Sequence, residues 1–259
     1  MITLITDFGD RGGCAGIMKG VILTINPRCP IVDITHHIAP QNIEEAAFVL
    51  GSAYPFFPEH TIHLVVVDPG VGGPRKPIIV ECEKHRFVGP DNGVFSLVFA
   101  RERVTGVWEI AADQYTPSRV SPTFHGRDIF APAAARLSLG MPADALGREL
   151  RSWVRLETLE PEMAEGVIKA RVISVDHFGN LVSNLSQDHF SQLAGSRPFR
   201  IAVGGSILKG IFRSYSDVRE GEVLALFGSS GLLEISVRNG NCQQLLQVAR
   251  GAPVEILIL

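Results

Sequence analysis

The chain has 259 residues, room for one large domain or two smaller ones, and its 46% hydrophobic and 20% charged residues are an ordinary globular balance. A net charge of −3 with no clustered Lys/Arg patch argues against nucleic acid as a partner. No apolar run approaches the ~18 residues of a membrane span, and the opening residues lack the basic and long apolar regions of a secretory leader, so no membrane partner and no export are expected.

Residues 1–6 read as a buried strand ending at Asp7. A helix is predicted over 16–25, stopped by Asn26-Pro27, and a short strand over 31–34. Asn42 is an N-cap, with Glu44 and Glu45 in the first turn of a helix running to about Tyr54. Residues 62–67 form an apolar strand. Residues 77–83 and 86–88 pair around a charged turn, a short apolar helix follows Asn92-Gly93, and 104–110 is another strand. The alanine-rich stretch 128–139 is a helix stopped by Gly140. This alternation predicts an α/β architecture. The character changes after Trp153. An acidic stretch over 157–166, containing Pro161, reads as a linker. Beyond it, short β-rich segments over 167–175, 199–203, 222–227, 232–237 and 254–258 predict a small β-barrel or sandwich.

Five places carry candidate chemistry. The most informative is 65–75, Val-Val-Val-Asp-Pro-Gly-Val-Gly-Gly-Pro-Arg. The strand stops at Asp68, and glycine and proline force a tight turn at its carboxyl end, where ligands sit in open α/β sheets. That turn presents Asp68 and Arg75 as a charged site or as a salt bridge pinning the turn. Asp7, in Thr6-Asp7-Phe8-Gly9-Asp10, also ends a strand. Its carboxylate suits the two hydroxyls of a ribose, or a helix cap. His125, in Thr123-Phe-His-Gly-Arg-Asp128, precedes the alanine-rich helix, where backbone donors and positive potential gather; Arg127 and Asp128 fit helix start and packing. The loop 176–184, with Asp176, Phe178 and Asn180, suits recognition of a base edge or is an ordinary Asn/Gly turn. The segment 227–235 sets Ser229 and Glu234 around a turn that could hold the charged ends of an amino acid or be a plain hairpin.

Other chemistries are not signalled. The cysteines Cys14, Cys29, Cys82 and Cys242 contain no C-x-x-C pair, which predicts reduced thiols and a cytoplasmic location. His36-His37 lacks metal-ligand spacing, and no H-E-x-x-H, P-loop, G-x-S-x-G or Rossmann glycine string is present. No metal or cofactor is expected.

Taken in order, the strings TDFG (6–9), GIMKG (16–20), VVVDPGVGGPR (65–75), PDNG (90–93), TFHGRD (123–128), DHFGN (176–180), YSD (215–217) and SSGLLEI (229–235) closely resemble the S-adenosylmethionine hydroxide adenosyltransferases, relatives of the bacterial fluorinases and chlorinases. The resemblance spans nearly the whole chain. It implies an N-terminal sandwich-like α/β domain over 1–156 and a smaller C-terminal β-barrel domain over 166–259. It implies hydrolysis of S-adenosyl-L-methionine at C5′ to adenosine and L-methionine, without metal or organic cofactor. It also implies a homotrimer, each site lying between one subunit's N-domain and a neighbour's C-domain. Asp68, Arg75 and His125 match the triad that handles the water, and Asp7 the clasp on the ribose. Asn180 matches the adenine reader, and Tyr215 sits where an aromatic stacks on the base. Asp176 and Ser229 match positions that hold the amino-acid group. Glu234 joins them, and backbone near Val237 faces the adenine. Two alternatives stand beside hydrolysis. The halogenase relatives carry non-ionisable or aromatic residues where this chain has Asp68 and His125, and a carboxylate repels a halide. A non-catalytic nucleoside-binding protein is suggested by Gly12 and Cys14, which depart from the aspartate and the tyrosine or other polar residue usual in the family.

Overall fold

The computed structural model describes residues 1–111, 120–156, 160–164 and 166–259, with the side chains of 163 and 164 left aside. The chain divides into two compact units, Met1–Leu156 and Glu157–Leu259.

The first unit is built on a seven-stranded sheet. Its strands are β1 (Ile2–Thr6), β2 (Ile31–Thr35), β3 (Ile62–Val66), β4 (Pro77–Cys82), β5 (Arg86–Pro90), β6 (Val104–Ile110) and β7 (Gly147–Glu149), in the order β2-β1-β3-β5-β4-β6-β7. The pairs β2/β1, β1/β3 and β3/β5 are parallel; β5/β4, β4/β6 and β6/β7 are antiparallel. The central strands are apolar on both faces because both are covered. Ile2, Leu4, Leu64 and Val66 enter one core with Met18 and Ile22 of α1 (Cys14–Ile25) and the alanines of a helix at Ala131–Ser138. Ile5, Val65 and Val67 face the opposite way, toward Ala46 and Leu50 of α2 (Ile43–Ala53) and Val98 and Phe99 of α3 (Ser96–Arg101). The alternation along β1 and β3 thus feeds two cores. Asn42 caps α2 by accepting the Glu45 N–H at 3.0 Å.

The alanine-rich helix differs from expectation at its start. Gly126–Phe130 forms a π-helical turn that continues into α4 (Ala131–Ser138), and Gly140 ends it in the left-handed region.

The second unit is nearly barrel-shaped. Its strands are β8 (Glu162–Ala164), β9 (Val167–Val175), β10 (Leu181–Ser186), β11 (Phe199–Val203), β12 (Ser206–Leu208), β13 (Val223–Phe227), β14 (Leu232–Val237) and β15 (Pro253–Ile258). They run in the order β12-β11-β15-β9-β10-β14-β13, all antiparallel. The long β9 pairs with β15 through its first half and with β10 through its second, so one strand bends from one side of the wall to the other. Ile168, Val172, Leu181, Ile201, Leu233 and Ile256 fill the interior. Two short helices, α5 (Gln187–Ala194) and α6 (Cys242–Leu246), complete it.

The acidic stretch read as a linker contains β8, which pairs with β9 in the register Glu162↔Lys169; residues 157–159 and 165 of that stretch lie outside the described residues. Among the described residues no helix is long and apolar enough to cross a membrane.

Candidate active site

Parallel pairing brings the carboxyl ends of β1 and β3 to one edge of the sheet. Thr6 lies opposite Val66, so Asp7 and Asp68 follow the carboxyl ends of adjacent strands. Asn92 fixes the departure of the β3 chain: its Nδ2 donates to the Val67 carbonyl at 2.9 Å. Val71 N–H returns to the Asp68 carbonyl and Gly73 N–H to the Gly70 carbonyl, which folds the 68–75 segment into consecutive turns. Gly72 has φ +76°, and a Cβ there would sit 2.4 Å from the Pro122 carbonyl oxygen. Only glycine lets this turn lie against the segment that leads to His125.

The folded turn aims Arg75 back at Asp68. Arg75 Nε donates to both Asp68 oxygens at 2.9 Å, and Nη2 also bonds Asp68 Oδ2. Both side chains are largely buried, 9% exposed for Arg75 and 5% for Asp68. The guanidinium carbon lies 5.2 Å from the Phe130 ring centroid, a cation–π contact. Arg75 Nη2 also lies 2.7 Å from His125 Nδ1. The structure therefore joins Asp68, Arg75 and His125, separated by up to 57 positions in the sequence, into one hydrogen-bonded group.

The Arg75–His125 contact determines the imidazole's tautomer. A guanidinium can only donate, so Nδ1 accepts and the neutral ring carries its proton on Nε2. Burial, then the Arg75 charge, hold the His125 pKa below the usual histidine value, against the opposing pull of Asp68 and Asp128. The ring is thus kept neutral at pH 7 with an N–H to offer. Asp128, 2% exposed, accepts the Ser121 N–H at 2.8 Å and two bonds from Arg127, fixing the segment on either side of His125. The Arg127 hydrogen bond lowers the Asp128 pKa against the effect of burial.

Asp7 lies in the neighbouring loop. Its Oδ2 accepts the Gln41 N–H at 2.8 Å. Phe8 meets Phe124 edge to face at 5.9 Å, so the loops carrying Asp7 and His125 touch.

The second unit holds most of its candidate residues in two hydrogen-bonded groups. Asp176 Oδ1 accepts the N–H groups of Phe178 and Asn180, both at 2.9 Å, and its Oδ2 accepts Asn180 Nδ2 at 2.8 Å. Gly179 has φ +86°, and a Cβ there would meet Asn241 Cγ at 2.2 Å. Asn180 is buried while Phe178 is exposed. Tyr215 OH donates to Glu234 Oε1 at 2.6 Å, as does Ser236 Oγ at 2.7 Å. Burial and then the Glu234 hydrogen bond raise the Tyr215 phenol pKa, and Asp176 adds to the shift, which links the two groups electrostatically. Glu234 is therefore occupied by neighbouring hydroxyls. Ser229 lies in the turn between β13 and β14, and Val237, 7% exposed, ends β14.

The sequence alone assigns no role to Phe130, or to Asn92 although it stands in the PDNG string. An asparagine soon after a strand, close to a glycine, was the available signal. Phe130 gave none beyond its place in an apolar helix. Among the described residues no three His, Cys, Asp or Glu side chains are grouped to hold a metal ion.

Comparison with known proteins agrees across the whole chain. The sequence models of the SAM hydroxide adenosyltransferase N-terminal and C-terminal domains match residues 2–147 and 170–255. A curated (R)-S-adenosyl-L-methionine hydrolase from Thermus thermophilus is 33% identical, with 99% of each chain covered. One from Methanocaldococcus jannaschii is 36% identical, covering 99% of this chain and 95% of the relative. A fluorinase from Nocardia brasiliensis is 24% identical over 100% of this chain and 97% of its own. The crystal structure of an uncharacterized conserved protein from Thermotoga maritima superposes with a TM-score of 0.91 at 38% identity, covering 99% of this chain and 100% of that one.

Proposed function

Because the chain belongs to the SAM hydroxide adenosyltransferase family, we propose that it hydrolyses S-adenosyl-L-methionine at C5′, giving adenosine and L-methionine. The observation that carries this reading is the Asp68–Arg75–His125 group at the carboxyl edge of the first unit's sheet. The relatives at 33–36% identity are named for the (R) sulfonium epimer, which makes that epimer the first substrate to test.

The residue chemistry suits the reaction. The sulfonium is a good leaving group, so the site chiefly has to align a nucleophile. His125, neutral and protonated on Nε2, offers a donor to the oxygen of a water. Arg75 places a positive charge behind that ring, and Asp68 holds the guanidinium fork in plane. Together they stabilise hydroxide character on the attacking oxygen. The water oxygen bonds to C5′ opposite sulfur, the C5′–S bond breaks, and its electron pair returns to sulfur as neutral methionine. The proton that the water loses passes to solvent. In this tautomer His125 is a donor to the water, not the acceptor of its proton. A buried carboxylate at this place opposes entry of a halide, which favours hydrolysis over halogenation.

The remaining assignments are proposals of the same reading. Asp7 clasps the ribose hydroxyls. Asn180, Tyr215 and backbone near Val237 read the adenine, with Phe178 beside them. Asp176, Ser229 and Glu234 serve the amino-acid end, Glu234 through the hydroxyls it holds. Two domains, 1–156 and 166–259, divide these roles. A cytoplasmic homotrimer, with the first unit of one copy facing the second unit of a neighbour, completes each site.

The test is product analysis by mass spectrometry with purified protein, S-adenosyl-L-methionine, and chloride or fluoride present or absent. Adenosine and methionine in both conditions, lost in Asp68→Ala and His125→Ala variants that still bind adenosine in calorimetry, are expected. A 5′-halogenated nucleoside, or tight binding without conversion, would overturn the reading.

A further inference from the structure

The buried hydroxyl of Thr6 and the imidazole of His36 form a structure that the triad does not use. Thr6 ends β1 and is fully buried; His36 is 7% exposed. Thr6 Oγ1 lies 2.9 Å from His36 Nδ1 and accepts the Phe8 N–H at 3.3 Å. The His36 carbonyl accepts the Gly9 N–H at 2.8 Å, and the Thr6 carbonyl accepts the Ile38 N–H at 3.3 Å. The residues on both sides of Asp7 are therefore tied to one imidazole and its backbone.

The far side of the ring is also held. His36 Nε2 lies 3.2 Å from Asp33 Oδ1, without the alignment of a good hydrogen bond, and Lys19 Nζ pairs with Asp33 Oδ2 at 2.5 Å. The Asp33 carboxylate favours a proton on Nε2. That leaves Nδ1 to accept from the Thr6 hydroxyl, whose lone pairs then receive the Phe8 N–H. The Phe8 N–H and the Thr6 hydroxyl then each have an acceptor, and the line runs in one direction from Phe8 to His36 Nδ1. Backbone held on both sides of a carboxylate limits the directions that the carboxylate can take when it must meet two hydroxyls at once.

We propose that Thr6 and His36 are positioning residues that hold Asp7 in the orientation required to grip the vicinal diol of the nucleoside. This inference rests on the proposed hydrolysis and adds to it the residues that determine selectivity for a ribose over a deoxyribose.

The test compares S-adenosyl-L-methionine with its 2′-deoxy analogue as substrates for wild type, Asp7→Ala, Thr6→Val, Thr6→Ser and His36→Phe, with melting temperatures recorded for each. Thr6→Val and His36→Phe are expected to lower kcat/KM for the ribose substrate about tenfold, the loss of one well-placed hydrogen bond. They should change the 2′-deoxy analogue less than about threefold, so that the ratio falls toward that of Asp7→Ala. Thr6→Ser keeps the hydroxyl and should keep the ratio. A merely structural role would lower both substrates together, and that result, or an unchanged ratio in folded Thr6→Val and His36→Phe, overturns the inference alone. Wild-type protein that converts neither compound overturns the proposed activity and the inference with it.

Discussion

Replacing Arg75 by lysine keeps the positive charge and removes the fork. In the structure Nε serves both Asp68 oxygens, and Nη2 serves Asp68 and His125 together. A lysine ammonium ends one bond short of the Nη2 position and has no Nε donor, so it cannot both hold Asp68 and reach His125 Nδ1. The variant keeps a bond to Asp68, the stronger partner, and loses the one that orients His125. A hydrogen bond to a charged group contributes about 1.5–3 kcal/mol. If that stabilisation acts on the attacking water, kcat falls about 10- to 150-fold, at about 1.4 kcal/mol per tenfold. KM should change less than about threefold, because the proposed nucleoside and amino-acid contacts lie on other residues. The assay is chromatographic release of adenosine under saturating S-adenosyl-L-methionine, with a melting curve to confirm folding. A folded Arg75→Lys variant with kcat within about threefold of wild type would refute the argument that the fork bridges the carboxylate and the ring for catalysis.

Three further predictions follow from separate parts of the structure. The neutral form of His125 is the one that accepts from Arg75, and burial and Arg75 lower its pKa; the acid limb of kcat/KM should therefore lie below the ordinary histidine value of about 6.5 and move upward in Arg75→Gln, whereas an unmoved limb would assign it to another group. His63, fully buried with Nδ1 bonded to Thr3 Oγ1 at 2.8 Å, has its pKa pushed down to about 3 by burial and then by His85. Above pH 6.5 both folded and unfolded forms are neutral. Between 6.5 and about 3 only the unfolded chain takes the proton, so stability decreases as the pH is lowered, by roughly 1.4 kcal/mol per unit from this group. Chemical denaturation at pH 6 and pH 4.5 should show a larger loss in the wild type than in His63→Phe, which carries the same carboxylate titration; equal losses in the two proteins would count against it. Gly72→Ala forces a side chain into left-handed backbone, costing about 1–2 kcal/mol before the clash with the Pro122 carbonyl is counted. Calorimetry should record a melting temperature lower by roughly 2–8 °C, and turnover should fall with it; a variant that matches wild type in both would show the turn to be free to rearrange.

Strands bounded by apolar residues were legible in the sequence even with an exposed residue inside them, Thr105 in β6 and Lys169 in β9. β6 and β9 span the residues expected of them, 104–110 and 167–175, and Asn42 announces α2 because its side-chain carbonyl accepts the Glu45 N–H of the first turn. β10 was not legible. Ser183 and Asn184 interrupt its pattern, yet both are buried, Ser183 donating to the Leu233 carbonyl and Asn184 accepting the Arg171 N–H. Polar residues satisfied by tertiary partners look like loop when the partners are unseen. β8 was hidden in the same way inside an acidic stretch, where pairing to β9 outweighs composition. At the site, the residue types of the triad stood out because glycine and proline isolate Asp68 and Arg75 from any strand or helix. That one guanidinium nitrogen touches both Asp68 and His125 is a product of the Gly72 turn meeting Pro122, which no local pattern encodes. Thr6 and His36 were missed because they act on Asp7 through the backbone at Phe8 and Gly9.

The origin of the new oxygen bears most directly on the proposed chemistry. Purified protein is mixed with S-adenosyl-L-methionine in water enriched in oxygen-18, and the products are separated and weighed by mass spectrometry. The triad acting on a water molecule predicts one heavy oxygen in the 5′-hydroxyl of adenosine and none in methionine. Adenosine without the label, or label in methionine, would contradict attack by water at C5′.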